Sequence, residues 1–182
     1  MKIFTILVVA VFLGACAHSQ KNKLAKAHKP KRFVSSSKSF EKAVKHIIAA
    51  EGGYSSKEND ATGEVRYGIT GTTAKRYGYK GKMKKLPMST AKRIYKRYYW
   101  DKLPKNLSGK AKFVLFDASV NQGPGYARKL AIQSKGNVKK MIQLRRNRYR
   151  MTAKKKPELK KFLKGWMNRL NKVEKLVKTN KV

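Results

Sequence analysis

The chain has 182 residues, of which 46 are Lys or Arg against nine Asp and Glu, a formal net charge of +37. Such a charge repels itself in a compact state and attracts polyanions, whether nucleic acid, anionic lipid or an acidic wall polymer. Carboxylate chemistry can come only from Glu41, Glu51, Glu58, Asp60, Glu64, Asp101, Asp117, Glu158 and Glu174, and the single cysteine, Cys16, excludes a disulfide within the chain.

Met1-Lys2 precedes an apolar run from Ile3 to Leu13, too short to span a bilayer as a mature helix and suited to the h-region of a secretory signal. Leu13-Gly14-Ala15-Cys16 resembles the lipobox of bacterial lipoproteins, which predicts cleavage before Cys16 and its acylation. The competing reading is ordinary cleavage after Ala15-Cys16-Ala17, which would release a soluble protein. Residues 1–16 are thus expected to be a signal peptide with lipobox. Residues 17–38, rich in Lys, Ser and Ala, read as a flexible basic tether.

From about 39 onward the pattern suits one folded region with a real core. Phe40, Val44, Ile47 and Ile48 recur at helical spacing and predict a helix over 39–51, with Ser39 as its N-cap. Residues 52–72 are rich in Gly, Asn, Asp, Ser and Thr, and their alternation at 65–70 suggests a short hairpin. Ser89 is expected to cap a helix carrying Ile94, Tyr95 and Tyr98. Another helix, over 109–121, should bury Phe113, Val114, Phe116 and Val120, and Pro124 should start the next. From 137, two helical patterns are separated near Pro157. The expected fold class is mostly α, in the α+β sense, with a small β-hairpin.

Glu51 ends the first apolar stripe, three and four residues beyond Ile47 and Ile48, and Gly52-Gly53 then stop the helix. A carboxyl there is partly desolvated and faces the negative end of the helix dipole, two effects that favour its protonated form and suit a general acid. Asp60 and Glu64 follow across a loop and a turn, so a chain that doubles back could set two acids across a groove, as glycosidic hydrolysis requires. The bland alternative is that Glu51 is a solvated helix-end acid and that the other two neutralise nearby lysines.

Glu51-Gly52-Gly53-Tyr54-Ser55, Asn59-Asp60, Gly63-Glu64 and Tyr67-Gly68-Ile69-Thr70 resemble the signature of glycoside hydrolase family 108, N-acetylmuramidases of the lysozyme superfamily. Tyr98-Tyr99-Trp100-Asp101 and Leu115-Phe116-Asp117-Ala118-Ser119-Val120-Asn121-Gln122-Gly123-Pro124-Gly125 resemble later blocks of that family in the same order, so the likeness covers about 40–133. It implies a lysozyme-like fold, a catalytic segment over 39–136, peptidoglycan as substrate and Glu51 as general acid. Asp60 is the first choice for directing water or stabilising positive charge, and Glu64 the second. The chain departs from the family where Val65-Arg66 replaces the common Thr-Asn, which alters how an N-acyl group is read and suggests a preference for modified, for example de-N-acetylated, glycan. Residues 137–182 resemble the shortened tail of a peptidoglycan-binding domain, and read either as wall-binding or as helices completing the core, with Tyr149 and Trp166 buried.

Tyr54, Arg66, Tyr67, Thr70, Asn121 and Gln122 are the candidate substrate-binding residues, because aromatics stack on sugars and amides bond hydroxyls. Each type also serves cores and turns. Asp117, among buried aromatics, reads as a structural acceptor. His18, His28 and His46 fall in the tether or on a charged face. No set of residues has zinc-ligand spacing and no phosphate loop is evident, so neither metal nor other cofactor is expected. The expected partners are peptidoglycan, anionic envelope polymers or lipids, and a membrane through the lipid anchor, at a periplasmic or cell-envelope location or, without acylation, as a secreted protein. The alternative is a non-catalytic basic wall-binding lipoprotein. A nucleic-acid binder has the charge but no recognised motif, and begins with an export signal.

Overall fold

The computed structural model describes residues 38–56 and 63–182. Cys16, the signal, the tether except Lys38, Glu58 and Asp60 lie outside the described residues. Helix α1 (Lys38–Glu51) buries Phe40, Ala43, Val44, Ile47 and finally Glu51, a stripe at helical spacing. Gly52, at φ +81°, ends it, donating its N–H to the Ile48 carbonyl at 3.1 Å. Ser39 is the second residue of α1 rather than a cap.

Three two-residue strands follow: β1 (Tyr54–Ser55), β2 (Val65–Arg66) and β3 (Ile69–Thr70). They form an antiparallel sheet in the order β1-β2-β3, with Tyr54 opposite Arg66, Ser55 opposite Val65, and Arg66 opposite Ile69. Between β2 and β3 stand only Tyr67 (φ +53°) and Gly68 (φ +76°). Two positive φ angles are what a type I′ hairpin turn requires. Thr70 then caps α2 (Gly71–Arg76), a helix that the sequence pattern did not predict.

Helix α3 (Met88–Tyr98) begins behind Pro87, and Ser89 lies inside its first turn without capping it. The proline carbonyl accepts the N–H groups of Thr90 and Ala91, so no side-chain cap is needed. Ser108 does cap α4 (Gly109–Gln122), accepting the Ala111 N–H. Every residue from Phe113 to Ser119 is buried, so α4 is covered on all sides and is the axis of the core, while Val120 is only half-buried. Around α4 pack α1, α5 (Pro124–Ser134), α6 (Val138–Lys155) and α7 (Leu163–Lys178).

Phe40, Trp100 and Phe116 meet edge to face or tilted at 5.3 to 6.1 Å, closing the core between α1 and α4. Each such ring contributes about 1.5–3 kcal/mol by leaving water. A turn of 3₁₀ helix at Pro157–Phe162 separates α6 from α7, where the sequence pattern breaks. Tyr149 is buried, and Trp166 is half-buried and stacks on it at 5.4 Å. Among the described residues the fold is mostly α with one small antiparallel sheet, in line with the expected α+β class.

Candidate active site

Because Glu51 continues the apolar stripe of α1, its side chain leaves the helix into the protein and is only 7% exposed. The β2–β3 turn lies against it: a Cβ on Gly68 would stand 2.7 Å from Glu51 Cγ and 2.8 Å from its Cβ. Tyr95, buried on α3, holds that turn by donating from Oη to the Tyr67 carbonyl at 2.7 Å. From the opposite end of the sequence, Arg169 of α7 donates through Nη1 to Glu51 Oε1 at 2.7 Å. Glu51 Oε2 has no partner among the described residues. The desolvated position expected of Glu51 is present. The Arg169 guanidinium paired with one of its oxygens was not foreseen from the sequence.

Arg169 also reaches Asp117, which is wholly buried on α4. Its Nε donates to Oδ1 at 2.9 Å, and its Nη2 lies 2.9 Å from the same oxygen without the alignment of a hydrogen bond. On the other side Arg145, also wholly buried, donates through Nη2 to Asp117 Oδ2 at 2.6 Å. His46 Nε2 approaches Asp117 Oδ1 at 3.5 Å, with its ring edge-on to Phe113. His46 therefore faces the core, not the charged face expected of it, because it stands three residues beyond the buried Ala43 on α1. Burial by itself would raise the Asp117 pKa, but Arg169, Arg145 and His46 outweigh it and hold the carboxyl far below the usual range. Arg169 is the mirror case: burial would lower its pKa, yet Asp117 and Glu51 raise it, so it stays charged.

The network continues into α6. Arg145 Nε donates to Gln122 Oε1 at 2.7 Å, and Tyr149 Oη donates to Asn121 Oδ1. Both amides are half-buried and tied to α6, and the buried Gln122 Nε2 has no partner among the described residues. Phenols line the neighbourhood. Burial, then the charge of Glu51, keeps Tyr95 well above the ordinary tyrosine value, and burial with Tyr77 and Glu51 pushes Tyr99 up to about 12.

The β arm carries the remaining candidates. Tyr54, 36% exposed, donates to Glu64 Oε1 at 2.5 Å, and this bond raises the Tyr54 pKa. Arg66 lies with its guanidinium 5.0 Å from the Tyr67 ring centre and donates to the Tyr67 hydroxyl at 3.2 Å, leaving its buried Nε without a partner among the described residues. Thr70 is engaged as a cap, accepting the Thr73 N–H at 3.1 Å. Glu64 immediately precedes β2 and is three residues from Tyr67, about 10 Å of extended chain from the turn that touches Glu51. The fold thus brings Glu51 together with Tyr67 and Gly68, groups Tyr54, Glu64 and Arg66 on the sheet, and ties Asn121 and Gln122 to α6. Among the described residues no cluster of three His, Cys, Asp or Glu could hold a metal ion.

Arg169, Arg145 and Tyr95 were not among the site residues expected from the sequence, where Tyr95 was read only as part of its helix. The two arginines left a signal: Met141, Arg145 and Tyr149 fall four apart, and Trp166, Arg169, Leu170 and Val173 share one helical stripe. An arginine within an apolar stripe is a candidate for a buried ion pair.

A shielded carboxyl at a helix end, beside a short antiparallel arm in a helical body, is the layout of a lysozyme-like α+β fold. Residues 44–123 match the family described as Glycosyl hydrolase 108. That segment spans Glu51, the β arm and α4, so the protein is a glycoside hydrolase and the resemblance read from its motifs is borne out over those residues. A solved structure, that of Brucella abortus SagA, aligns with a TM-score of 0.64 and 24% identity, covering 79% of this chain and 96% of its own. At that identity the likeness is one of fold. No curated protein matches the chain.

Proposed function

We propose that this glycoside hydrolase is an exported lysozyme-type N-acetylmuramidase that cleaves the β-1,4 glycan bond of peptidoglycan, with Glu51 as general acid. The observation that carries the reading is the state of Glu51: shielded from water, held by Arg169 on one oxygen, and unpartnered among the described residues on the other. A proton on Oε2 passes to the bridging oxygen as the glycosidic C–O bond breaks and its electron pair moves onto that oxygen. The sugar carbon then carries oxocarbenium-like positive charge, which Asp60 or Glu64 supports until water adds its oxygen to that carbon and gives up a proton to the assisting carboxylate. Of these two, Glu64 already has its carboxylate engaged by Tyr54.

Arg66 and Val65 bear on substrate choice. The missing amide weakens recognition of an N-acyl group and is the basis for a preference for de-N-acetylated glycan, while the Arg66 charge opposes a protonated amine. Equal rates on acetylated and de-N-acetylated sacculi would remove the preference. The N-terminal signal and Cys16 support a lipid-anchored location in the cell envelope, or secretion if Cys16 is not acylated. Among the described residues no helix is long and apolar enough to cross a membrane. Lysines and arginines would hold the enzyme on anionic envelope polymers or lipids.

One observation favours the non-catalytic wall-binding alternative: Arg169 already occupies Glu51 Oε1, at 2.7 Å. The two readings separate in one assay. Wild-type protein should release reducing ends from purified sacculi and Glu51→Gln should not; full activity in that variant overturns the assignment, and an inactive wild type that still binds sacculi establishes the alternative. Asp60→Asn and Glu64→Gln in the same assay identify the assisting acid by the larger fall in rate.

A further inference from the structure

We infer that Arg169 is the positioning residue for Glu51, so that the catalytic centre is completed by α7, outside the segment that matches the hydrolase family. The inference rests on Glu51 being the general acid, as proposed above.

Arg169 is 118 residues from Glu51, and its guanidinium divides its edges between two carboxylates. One edge gives Nη1 to Glu51 Oε1 at 2.7 Å, and the other gives Nε to Asp117 Oδ1 at 2.9 Å. A group held at both edges cannot turn about its own axis, which a lysine ammonium could do freely. Asp117 is in turn immobile. It is wholly buried, and its second oxygen accepts from Arg145, which also bonds Gln122 and lies between α4 and α6. Two carboxyl groups and two guanidiniums therefore form a hydrogen-bonded chain from α6 through α4 and α7 to the end of α1.

The consequence lies at Glu51. Fixing Oε1 fixes the plane of the carboxyl, and the Gly68 turn blocks displacement of its Cγ from the other side. Oε2 is left in one orientation as the oxygen that can carry the transferable proton. Proton transfer depends on such placement within a fraction of an ångström. A purely structural ion pair predicts a different outcome: its removal would lower the folded fraction and leave the turnover of folded molecules alone.

The test uses the full chain, with soluble glycan fragments as substrate so that kcat and KM separate, and thermal melts to count folded protein. Arg169→Met should lower kcat per folded molecule by about tenfold to a hundredfold, the scale of a misplaced catalytic group, with KM within about twofold of wild type. Arg169→Lys, which keeps the charge and is the variant to use if Met does not fold, should recover only part of kcat. Guanidinium ion added to Arg169→Ala should raise its kcat in a saturable way. Wild-type kcat in folded Arg169→Met or Arg169→Lys, alongside an inactive Glu51→Gln, overturns the inference alone. Full activity in Glu51→Gln overturns the reading of Glu51 and this inference with it.

Discussion

Gly68 and Glu51 are packed so closely that a methyl group at position 68 would stand 2.7 Å from the glutamate Cγ and 2.6 Å from the Tyr95 hydroxyl. Neither neighbour can yield easily, since one is held by Arg169 and the other by the Tyr67 carbonyl. The tip of the hairpin is therefore a wall of the carboxyl's site.

Gly68→Ala should accordingly lose more activity than stability. The positive φ of +76° and the contacts should destabilise the fold by about 1–3 kcal/mol, and reducing-end release should fall well beyond what the folded fraction explains. Gly78→Ala is the control. Its φ is +87° with nothing within 4 Å of the added Cβ, so it carries the backbone strain but should retain activity.

Tyr95→Phe removes the hydroxyl that donates to the Tyr67 carbonyl, at a residue held at φ +53°. A non-glycine side chain in the left-handed region needs such support. Loss of this partner should cost about 1–3 kcal/mol, read as a lower urea midpoint with an unchanged slope. Turnover should also fall, because the turn that borders Glu51 is no longer tied to α3.

Asp117→Asn leaves two guanidiniums without their shared anion and should destabilise the protein by about 3–5 kcal/mol at neutral pH. The pH dependence has a definite sign. The folded-state pKa of Asp117 lies below its unfolded value of about 3.9, so its stabilisation is complete above that value and is lost as pH falls toward the folded pKa. Urea unfolding at a series of pH values should show the gap between wild type and Asp117→Asn widest at neutral pH and narrowing below about pH 4. A constant gap down to pH 2 would contradict the ion-pair account.

Salt should separate wall attachment from chemistry. Among the described acids, Glu41, Glu51, Asp101, Asp117 and Glu174 are already in ion pairs, so most of the 46 cations have no internal counter-charge. Binding to anionic sacculi should weaken markedly between low salt and about 0.5 M, as screening shortens the reach of surface charge. Turnover of small uncharged glycan fragments should change little over the same range, because the Glu51 pair is largely buried. Equal salt sensitivity of both measurements would sink the separation.

Much of the architecture was legible because its signals are local. Pro124 opens α5, the break near Pro157 divides α6 from α7, and the hairpin turns on Tyr67-Gly68. Glu51 could be singled out because helical spacing alone sets which side of α1 it leaves from. Even so, Ser39 and Ser89, both good capping residues, lie inside helices; a serine's competence to cap does not decide where a helix starts. The short helix α2 was hidden among loop-forming residues, and Thr70 serves as its cap.

By itself, the sequence determined the composition of the chain, the face of α1 on which the acid stands, and the short-range turns and helix ends, all of which depend on neighbours within a few residues. The tertiary structure decided what the acid meets. Arg169, Asp117 and Arg145 come from three helices, and their contact depends on how α6 and α7 cross α4, a relation that spacing along the chain does not encode. An arginine in an apolar stripe needs a buried anion, and only the packed core determines which one it finds.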